Sequence, residues 1–96
     1  VCTSAERFFG VDAVHDRFVE LFAEKTRALR IGNGMGKSEI GPLVSETARA
    51  KVMRLVDDAL ANGATAVTGG RIPPAHNTGW FYEPTILTGV KPQMAI

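Results

Sequence analysis

Apolar side chains recur at helical spacing in two stretches of the chain, and a glycine follows each stretch. In residues 13–29, and again after Ser45, apolar residues lie three to four positions apart with charged residues largely between them. Gly32 follows the first stretch and Gly63 the second, and glycine favours the end of a helix. The sequence therefore predicts two amphipathic helices. Their apolar positions are Val14, Phe18, Leu21, Phe22 and Leu29 in the first, and Ala48, Val52, Leu55, Val56, Ala59 and Leu60 in the second.

Small polar residues stand where each helix would begin. Asp12 precedes the first apolar stretch and Ser45 precedes the second. A side-chain oxygen at this position accepts a hydrogen bond from a free backbone N–H of the first helical turn. We therefore expect Asp12 to be the N-cap of the first helix and Ser45 or a near neighbour to be that of the second.

Three further stretches are rich in the branched and aromatic residues that favour β-strands. They cover residues 6–11, 64–68 and 80–87, and a loop is expected over 71–79. Pro84 has no N–H for a strand ladder, which favours an edge strand or a bulge there. The predicted order is strand, helix, helix, strand, strand. This is an α/β arrangement, with parallel neighbours expected where a helix crosses over.

The composition is that of an ordinary globular domain or part of one. The 96 residues carry 11 Lys plus Arg against 10 Asp plus Glu, a net charge of +1, and these charges are interspersed along the chain. We therefore expect no binding to nucleic acid or to an anionic membrane. The chain has a single cysteine, no Cys and His at metal-ligand spacing, and no apolar run of about 20 residues. We therefore expect no internal disulfide, no metal site and no membrane span. A cytoplasmic location is expected.

Several polar or glycine-rich groups are candidate sites, and each has a plainer structural interpretation. The glycine series GNGMG (32–36) follows a helix, whereas a dinucleotide loop leaves a strand and opens a helix, so a turn is expected. His15 and His76 lie far apart in sequence and are interpreted as solvated. Residues 57–58 are adjacent aspartates that point about 100° apart on a helix and form no shared site. Residues 80–82 (WFY) are interpreted as core or interface packing.

Cys2, in the stretch VCTSAERFF, is the only cysteine of the chain. A free cysteine commonly behaves as a small buried apolar residue. A cysteine whose pKa is lowered is instead a strong nucleophile. The residue type alone leaves both interpretations open.

VCTSAERFF resembles the stretch around the catalytic cysteine of the aldehyde dehydrogenase superfamily. In that family a Gly-Gln-x-Cys sequence leads into a short helix and an Arg-aromatic strand, and Val1 and Cys2 correspond to the last two positions of the motif. Four more stretches resemble family landmarks in the same order: HDRFVELFAEKTRALRIGNG, GPLVSE, GATAVTGG and FYEPTIL. The resemblance therefore covers nearly all of the chain.

The resemblance implies that Cys2 is the nucleophile of an enzyme that oxidises a small-molecule aldehyde to a carboxylic acid with NAD or NADP. A thiolate attacks the aldehyde, a hydride leaves for the nicotinamide, and water cleaves the thioester. The Cys2 backbone N–H would be half of the oxyanion hole. The full-length protein is expected to be a homo-oligomer, since members of this family often form dimers or tetramers.

The resemblance also implies that residues 1–96 are one part of a catalytic domain, beginning at the nucleophile. In the family, the glutamate that activates water, the asparagine of the oxyanion hole and the nucleotide-binding domain all lie upstream of the cysteine. We therefore expect no cofactor-binding residue in this segment and no turnover by the isolated chain. Glu6, Glu39 and Glu83 are not assigned as the general base. Ser4 stands where some relatives have a second cysteine, which excludes a local Cys-x-Cys redox switch.

Two alternatives remain open. A CoA-acylating semialdehyde dehydrogenase would pass the acyl group to CoA instead of water. A non-catalytic segment used for packing or oligomer contact would need Cys2 only as a structural thiol. In every case a further set of residues is assigned to backbone shape and packing: Gly32, Gly41, Pro42, Gly63, Pro84 and Thr85. Residues near Phe81 are candidates for an approach to the active site or a subunit contact.

Overall fold

The computed structural model describes residues 7–76 and 78–96. It contains the helices α1 (Asp12–Arg27) and α2 (Glu46–Ala61) and the strands β1 (Thr65–Thr68) and β2 (Ile86–Thr88). The predicted α/β class and both predicted helices are confirmed. Cys2, Ser4 and Glu6 lie outside the described residues.

The first helix, α1, begins and ends slightly earlier than its apolar pattern predicts. Val11 holds the N-cap position with an extended backbone and no side-chain cap, and Asp12 is the first helical residue. The prediction that Asp12 is the cap is therefore wrong. Its carboxylate stands in the first turn instead, where the positive end of the helix dipole favours an acidic group. At the other end, the N–H of Ala28 donates to the carbonyl of Glu24 and closes the helix before Leu29.

The second helix, α2, follows the sequence prediction closely. The backbone of Ser45 is extended, and its Oγ accepts a hydrogen bond from the N–H of Ala48 at 3.1 Å, so the predicted cap is confirmed. Asn62 is the C-cap, and its side-chain amide donates to the carbonyl of Asp58 at 2.8 Å. The stop predicted at Asn62-Gly63 is also confirmed.

Strands β1 and β2 form a two-stranded antiparallel sheet. The expectation of parallel neighbours applies only where a helix crosses over, so it does not concern this pair: in the described residues no helix lies between the two strands, and the chain returns through the loop of residues 69–85. The register is irregular between Ala66 and Thr68. The paired residues are Thr65 with Thr88, Ala66 with Leu87, and Thr68 with Ile86.

Residues 7–11 form no strand, which corrects the first predicted strand over its described part. A strand needs a neighbouring backbone to pair with, and no such partner lies beside this segment in the described residues. The Phe8 side chain packs on α1 instead, whereas Phe9 is exposed. The Phe8 ring lies 5.8 Å from that of Phe18 and 5.3 Å from that of Phe22.

The last predicted strand, over 80–87, is reduced to β2. Before β2 the backbone makes other hydrogen bonds: the Leu43 N–H donates to the carbonyl of Trp80 at 2.8 Å, and the Glu83 N–H to that of Arg71 at 3.0 Å. Pro84 has no N–H to pair. The ladder with β1 therefore starts only after the proline.

The core is small and lies between α2, the sheet and the C-terminal segment. Ala59, Ala64 and Met94 are buried there, with Leu87 and Ile96 packed against them. In contrast, α1 buries only Ala23 and leaves large apolar side chains exposed. Since burial of apolar surface is the main stabilising contribution, we expect this segment alone to have modest stability.

Candidate functional site

The predicted nucleophile, Cys2, lies outside the described residues, five positions before the first residue that the structure places. That first residue, Arg7, donates a hydrogen bond from its guanidinium group to the carbonyl of Ile96. The start of the described chain therefore lies beside its end.

The loop before Phe81 and the glycine turn after α1 meet at His76. The His76 ring lies 5.2 Å from the Phe81 ring, and a Cβ placed on Gly32 would lie 4.0 Å from the His76 Cε1. His76 is half-buried in this contact, so its predicted solvation is wrong. His15 is exposed as predicted, with its Nδ1 lying 3.4 Å from the Asp16 carboxylate.

The aromatic run at residues 80–82 serves packing, as predicted. Phe81 and Tyr82 are each only 9% exposed. Trp80 is more exposed, and the guanidinium carbon of Arg49 lies 5.3 Å from its ring centroid. The same guanidinium donates to the carbonyl of Gly79 at 3.0 Å. This cation–π contact ties α2 to the loop, which gives Arg49 a positioning role that the sequence pattern does not reveal.

The two described glutamates that could be mistaken for a general base are both paired with arginines. The N–H of Arg30 donates to Glu39 at 3.1 Å and its guanidinium at 3.2 Å, and these bonds hold the pKa of Glu39 below its usual value. Both carboxylate oxygens of Glu83 accept from the Arg71 Nε, at 3.0 and 3.1 Å. A carboxylate whose ionised form is favoured is a weaker base. The lowered pKa of Glu39 supports leaving it out of the catalytic assignment, and Glu83 is left out because its carboxylate is paired with Arg71.

An open groove of about 590 Å³ runs between the end of α1, β1 and the segment around Pro84. Two arginines line it, and each already has a partner. Arg27 donates to the carbonyl of Val67 at 2.9 Å, and Arg71 pairs with Glu83. The groove therefore offers structural polar contacts and no arrangement of nucleophile and base.

Within residues 7–76 and 78–96, no three side chains of the His, Cys, Asp and Glu types come together in a way that could hold a metal ion. Over the same residues, neither helix is long and apolar enough to cross a membrane.

The hydroxyl of Thr85 joins the β1 turn to the strand β2. It accepts a hydrogen bond from the N–H of Gly70 at 2.8 Å and donates to the carbonyl of Glu83 at 2.7 Å. The assignment of Thr85 to backbone shape is therefore confirmed. Its partner lies 15 residues away, so no local pattern indicates this contact. Gly41 differs: a Cβ there would meet nothing within 4 Å and its φ is not positive, so neither packing nor turn geometry requires a glycine.

Tyr82 gives the first testable prediction, a loss of stability at alkaline pH. Burial raises the pKa of Tyr82 above its ordinary value, and the negative charges of Asp57 and Glu83 raise it further. Above pH 10 the unfolded chain loses the phenol proton while the folded chain keeps it, so the free energy of unfolding falls from about pH 10 up to the folded pKa. Urea unfolding between pH 8 and 11 measures this fall.

The matched control for that prediction is Tyr82→Phe, which keeps the ring and removes the titrating hydroxyl. Its stability should decline less with rising pH than that of the wild type. Tyr82 is the only tyrosine, so tyrosinate absorbance follows its ionisation directly. Equal alkaline declines in the two proteins would show that burial of this hydroxyl has no part in the pH dependence.

Comparison with known proteins shows which family this sequence is similar to. The sequence model of the aldehyde dehydrogenase family matches residues 1–96. An aspartate-semialdehyde dehydrogenase (non-phosphorylating) of Halomonas elongata is 44% identical over 97 residues, which cover 99% of this chain and 19% of that protein. A succinate-semialdehyde dehydrogenase (NADP(+)) of Mycobacterium avium is 38% identical over 96 residues, covering 99% of this chain and 20% of that protein.

The fold is also shared with solved structures. The crystal structure of betaine aldehyde dehydrogenase from Staphylococcus aureus in complex with NAD+ has a TM-score of 0.81 and 31% sequence identity, covering 88% of this chain and 17% of that chain. This chain therefore spans about a fifth of the length of the relatives that it matches.

Proposed function

The chain belongs to the aldehyde dehydrogenase family, and from this membership we propose that it forms part of an enzyme that oxidises an aldehyde to a carboxylic acid with NAD or NADP. The observation that carries the proposal is the family match over residues 1–96, which includes the single cysteine of the chain. Residues 1–96 are then one part of the catalytic domain, and Cys2 is its nucleophile.

In the proposed reaction the Cys2 thiolate attacks the carbonyl carbon of the aldehyde. A C–S bond forms, and the electron pair of the C=O bond moves to the oxygen, where the Cys2 N–H donates a hydrogen bond to the new charge. Bound NAD or NADP supplies the hydride acceptor that makes the step an oxidation. Water then adds to the resulting thioester, and the sulfur leaves again as a thiolate.

The glycine turn among the described residues does not fit a dinucleotide-binding loop. The glycine turn at 32–36 follows helix α1 and opens no further helix, so it lacks the helix N-terminus that holds a pyrophosphate. We therefore assign cofactor binding to other parts of the polypeptide and derive no step through the cofactor in this segment. The base that activates water is assigned outside this segment too, because Glu39 and Glu83 are paired with arginines.

The test is the formation of reduced nicotinamide by a full-length protein that contains residues 1–96. Succinic semialdehyde, aspartate semialdehyde and betaine aldehyde are the first substrates, since relatives are named for them. Each is assayed with NAD and with NADP, and with and without CoA. We expect turnover that does not need CoA, and none from the isolated 96-residue chain. Turnover that requires CoA would favour the acylating alternative, and no turnover with any aldehyde would contradict the proposal.

A cytoplasmic location and a homo-oligomeric full-length protein belong to the same proposal. The cytoplasmic location rests on the single cysteine of the chain, and the homo-oligomer rests on the family resemblance. Sedimentation of the full-length protein tests the second directly, and a monomer at assay concentration would contradict it.

A further inference from the structure

Two asparagines of the chain are followed by glycine, and both are exposed. They are Asn33, in the turn after α1, and Asn62, at the end of α2. An Asn-Gly pair can lose ammonia without an enzyme, because a glycine places no Cβ in the way when its nitrogen attacks the asparagine side chain. We infer that Asn33 is a site of spontaneous deamidation and that the fold protects Asn62.

The reaction proceeds in two steps. The Gly34 nitrogen bonds to the Asn33 Cγ, the bond from Cγ to Nδ2 breaks, and ammonia leaves with the proton from the Gly34 N–H. The product is a cyclic imide. Water then opens the ring: cleavage of the bond from Cγ to nitrogen leaves aspartate, and cleavage at the main-chain carbonyl leaves isoaspartate.

The geometry around Asn33 favours this attack. The Met35 N–H donates to the Asn33 Oδ1 at 2.9 Å, which polarises the amide and would stabilise the oxyanion formed on that oxygen. No hydrogen bond from the Gly34 N–H is formed within the described part of the chain, so this nitrogen is not held away from Cγ. A Cβ on Gly34 would meet nothing within 4 Å, so the ring has room to form.

The same groups are restrained at Asn62. Its Nδ2, the leaving group, donates to the carbonyl of Asp58 at 2.8 Å and lies 3.3 Å from the Asp58 carboxylate. The nitrogen that would attack, that of Gly63, donates to the carbonyl of Leu60 at 3.3 Å. The end of α2 must therefore open before Asn62 can react.

Deamidation at Asn33 would alter the turn that it anchors. The carbonyl of Asn33 accepts from the Gly36 N–H at 3.0 Å and from the Ser38 Oγ at 2.8 Å. Isoaspartate adds one carbon to the main chain at this point and a negative charge beside it. The contacts of Ile31 with Ile40, which the turn connects, would have to adjust.

Incubation of a full-length protein that contains residues 1–96 at mildly alkaline pH, followed by trypsin and mass spectrometry, tests the inference. The two asparagines fall in different tryptic peptides, residues 31–37 and 55–71, so both rates come from one sample. In native buffer we expect Asn33 to react at least about tenfold faster than Asn62, because the hydrogen bonds at Asn62 must open first. In urea the two rates should become similar, since only the shared Asn-Gly sequence then matters.

The matched control is Gly34→Ala, which the open space at this position accommodates. It should slow the reaction at Asn33 to near the native rate at Asn62 and leave Asn62 unchanged. The inference is overturned if the native rates are equal, if Asn62 is faster, or if Gly34→Ala leaves the Asn33 rate as it was. These outcomes do not depend on aldehyde oxidation, so they stand apart from the proposed function.

Discussion

Replacement of Cys2 by alanine in the full-length protein is expected to lower kcat/KM for aldehyde oxidation by at least about 10⁴-fold, the scale seen when an enzyme loses its covalent nucleophile. Alanine cannot form the C–S bond through which the proposed reaction passes. Serine at the same position should rescue little, because a hydroxyl is far less acidic than a thiol and forms almost no anion near neutral pH. Reduced-nicotinamide formation under saturating cofactor measures the loss.

The control for this substitution is Ser4→Ala, two residues away in the same stretch. It should retain nearly wild-type kcat and KM, since the proposal gives Ser4 no role. Alkylation by iodoacetamide adds a second readout: Cys2 in the full-length protein should react with an apparent pKa below the ordinary thiol value of about 8.5. A Cys2→Ala variant that keeps its activity, or a thiol that resists alkylation at every pH, would favour the structural alternative for this cysteine.

The helices show which parts of the fold a sequence of this kind can predict. The signals for α2 are local: an apolar stripe, a serine that caps the first turn, and Asn-Gly at the end. All of them are within a few residues of the backbone that they act on, and the structure confirms them. The signal at Asp12 is equally local but supports two positions, the cap and the first helical residue. The structure selects the second.

The strands show the opposite case, because a strand depends on its partner. Residues 7–11 have suitable side chains, but no strand lies beside them in the described residues. Residues 80–83 have suitable side chains too, and their backbone pairs with other loops. The candidate site follows the same rule. Cys2 is proposed as the nucleophile from its neighbours in sequence, whereas the contact between Arg49 and Trp80 joins residues far apart in the chain and has no local signal.

Gly69→Ala is expected to destabilise the chain by about 3 kcal/mol, enough to unfold a segment with so small a core. The φ of Gly69 is +75°, and an alanine in this left-handed region costs roughly 1–2 kcal/mol. A Cβ at this position would also overlap the carbonyl oxygen of Pro84 and lie 2.6 Å from the Thr85 Oγ1. Relief of that overlap requires a backbone shift, which adds about 1–3 kcal/mol.

The overlap at Gly69 falls on the connection that holds the two strands together. Moving Pro84 away would lengthen the hydrogen bond from the Gly70 N–H to the Thr85 hydroxyl. This bond connects the turn after β1 to the residue before β2, so its loss would weaken the link between the two strands. Urea unfolding followed by Trp80 fluorescence and by circular dichroism measures the effect. Gly34→Ala is the matched control, since no atom lies near its Cβ and its φ is not positive, and it should change stability by no more than about 0.5 kcal/mol. If the two alanine variants were equally stable, the turn at Gly69 would not be tightly packed against Pro84. The contact between this turn and Pro84 would then contribute nothing to the stability of the sheet.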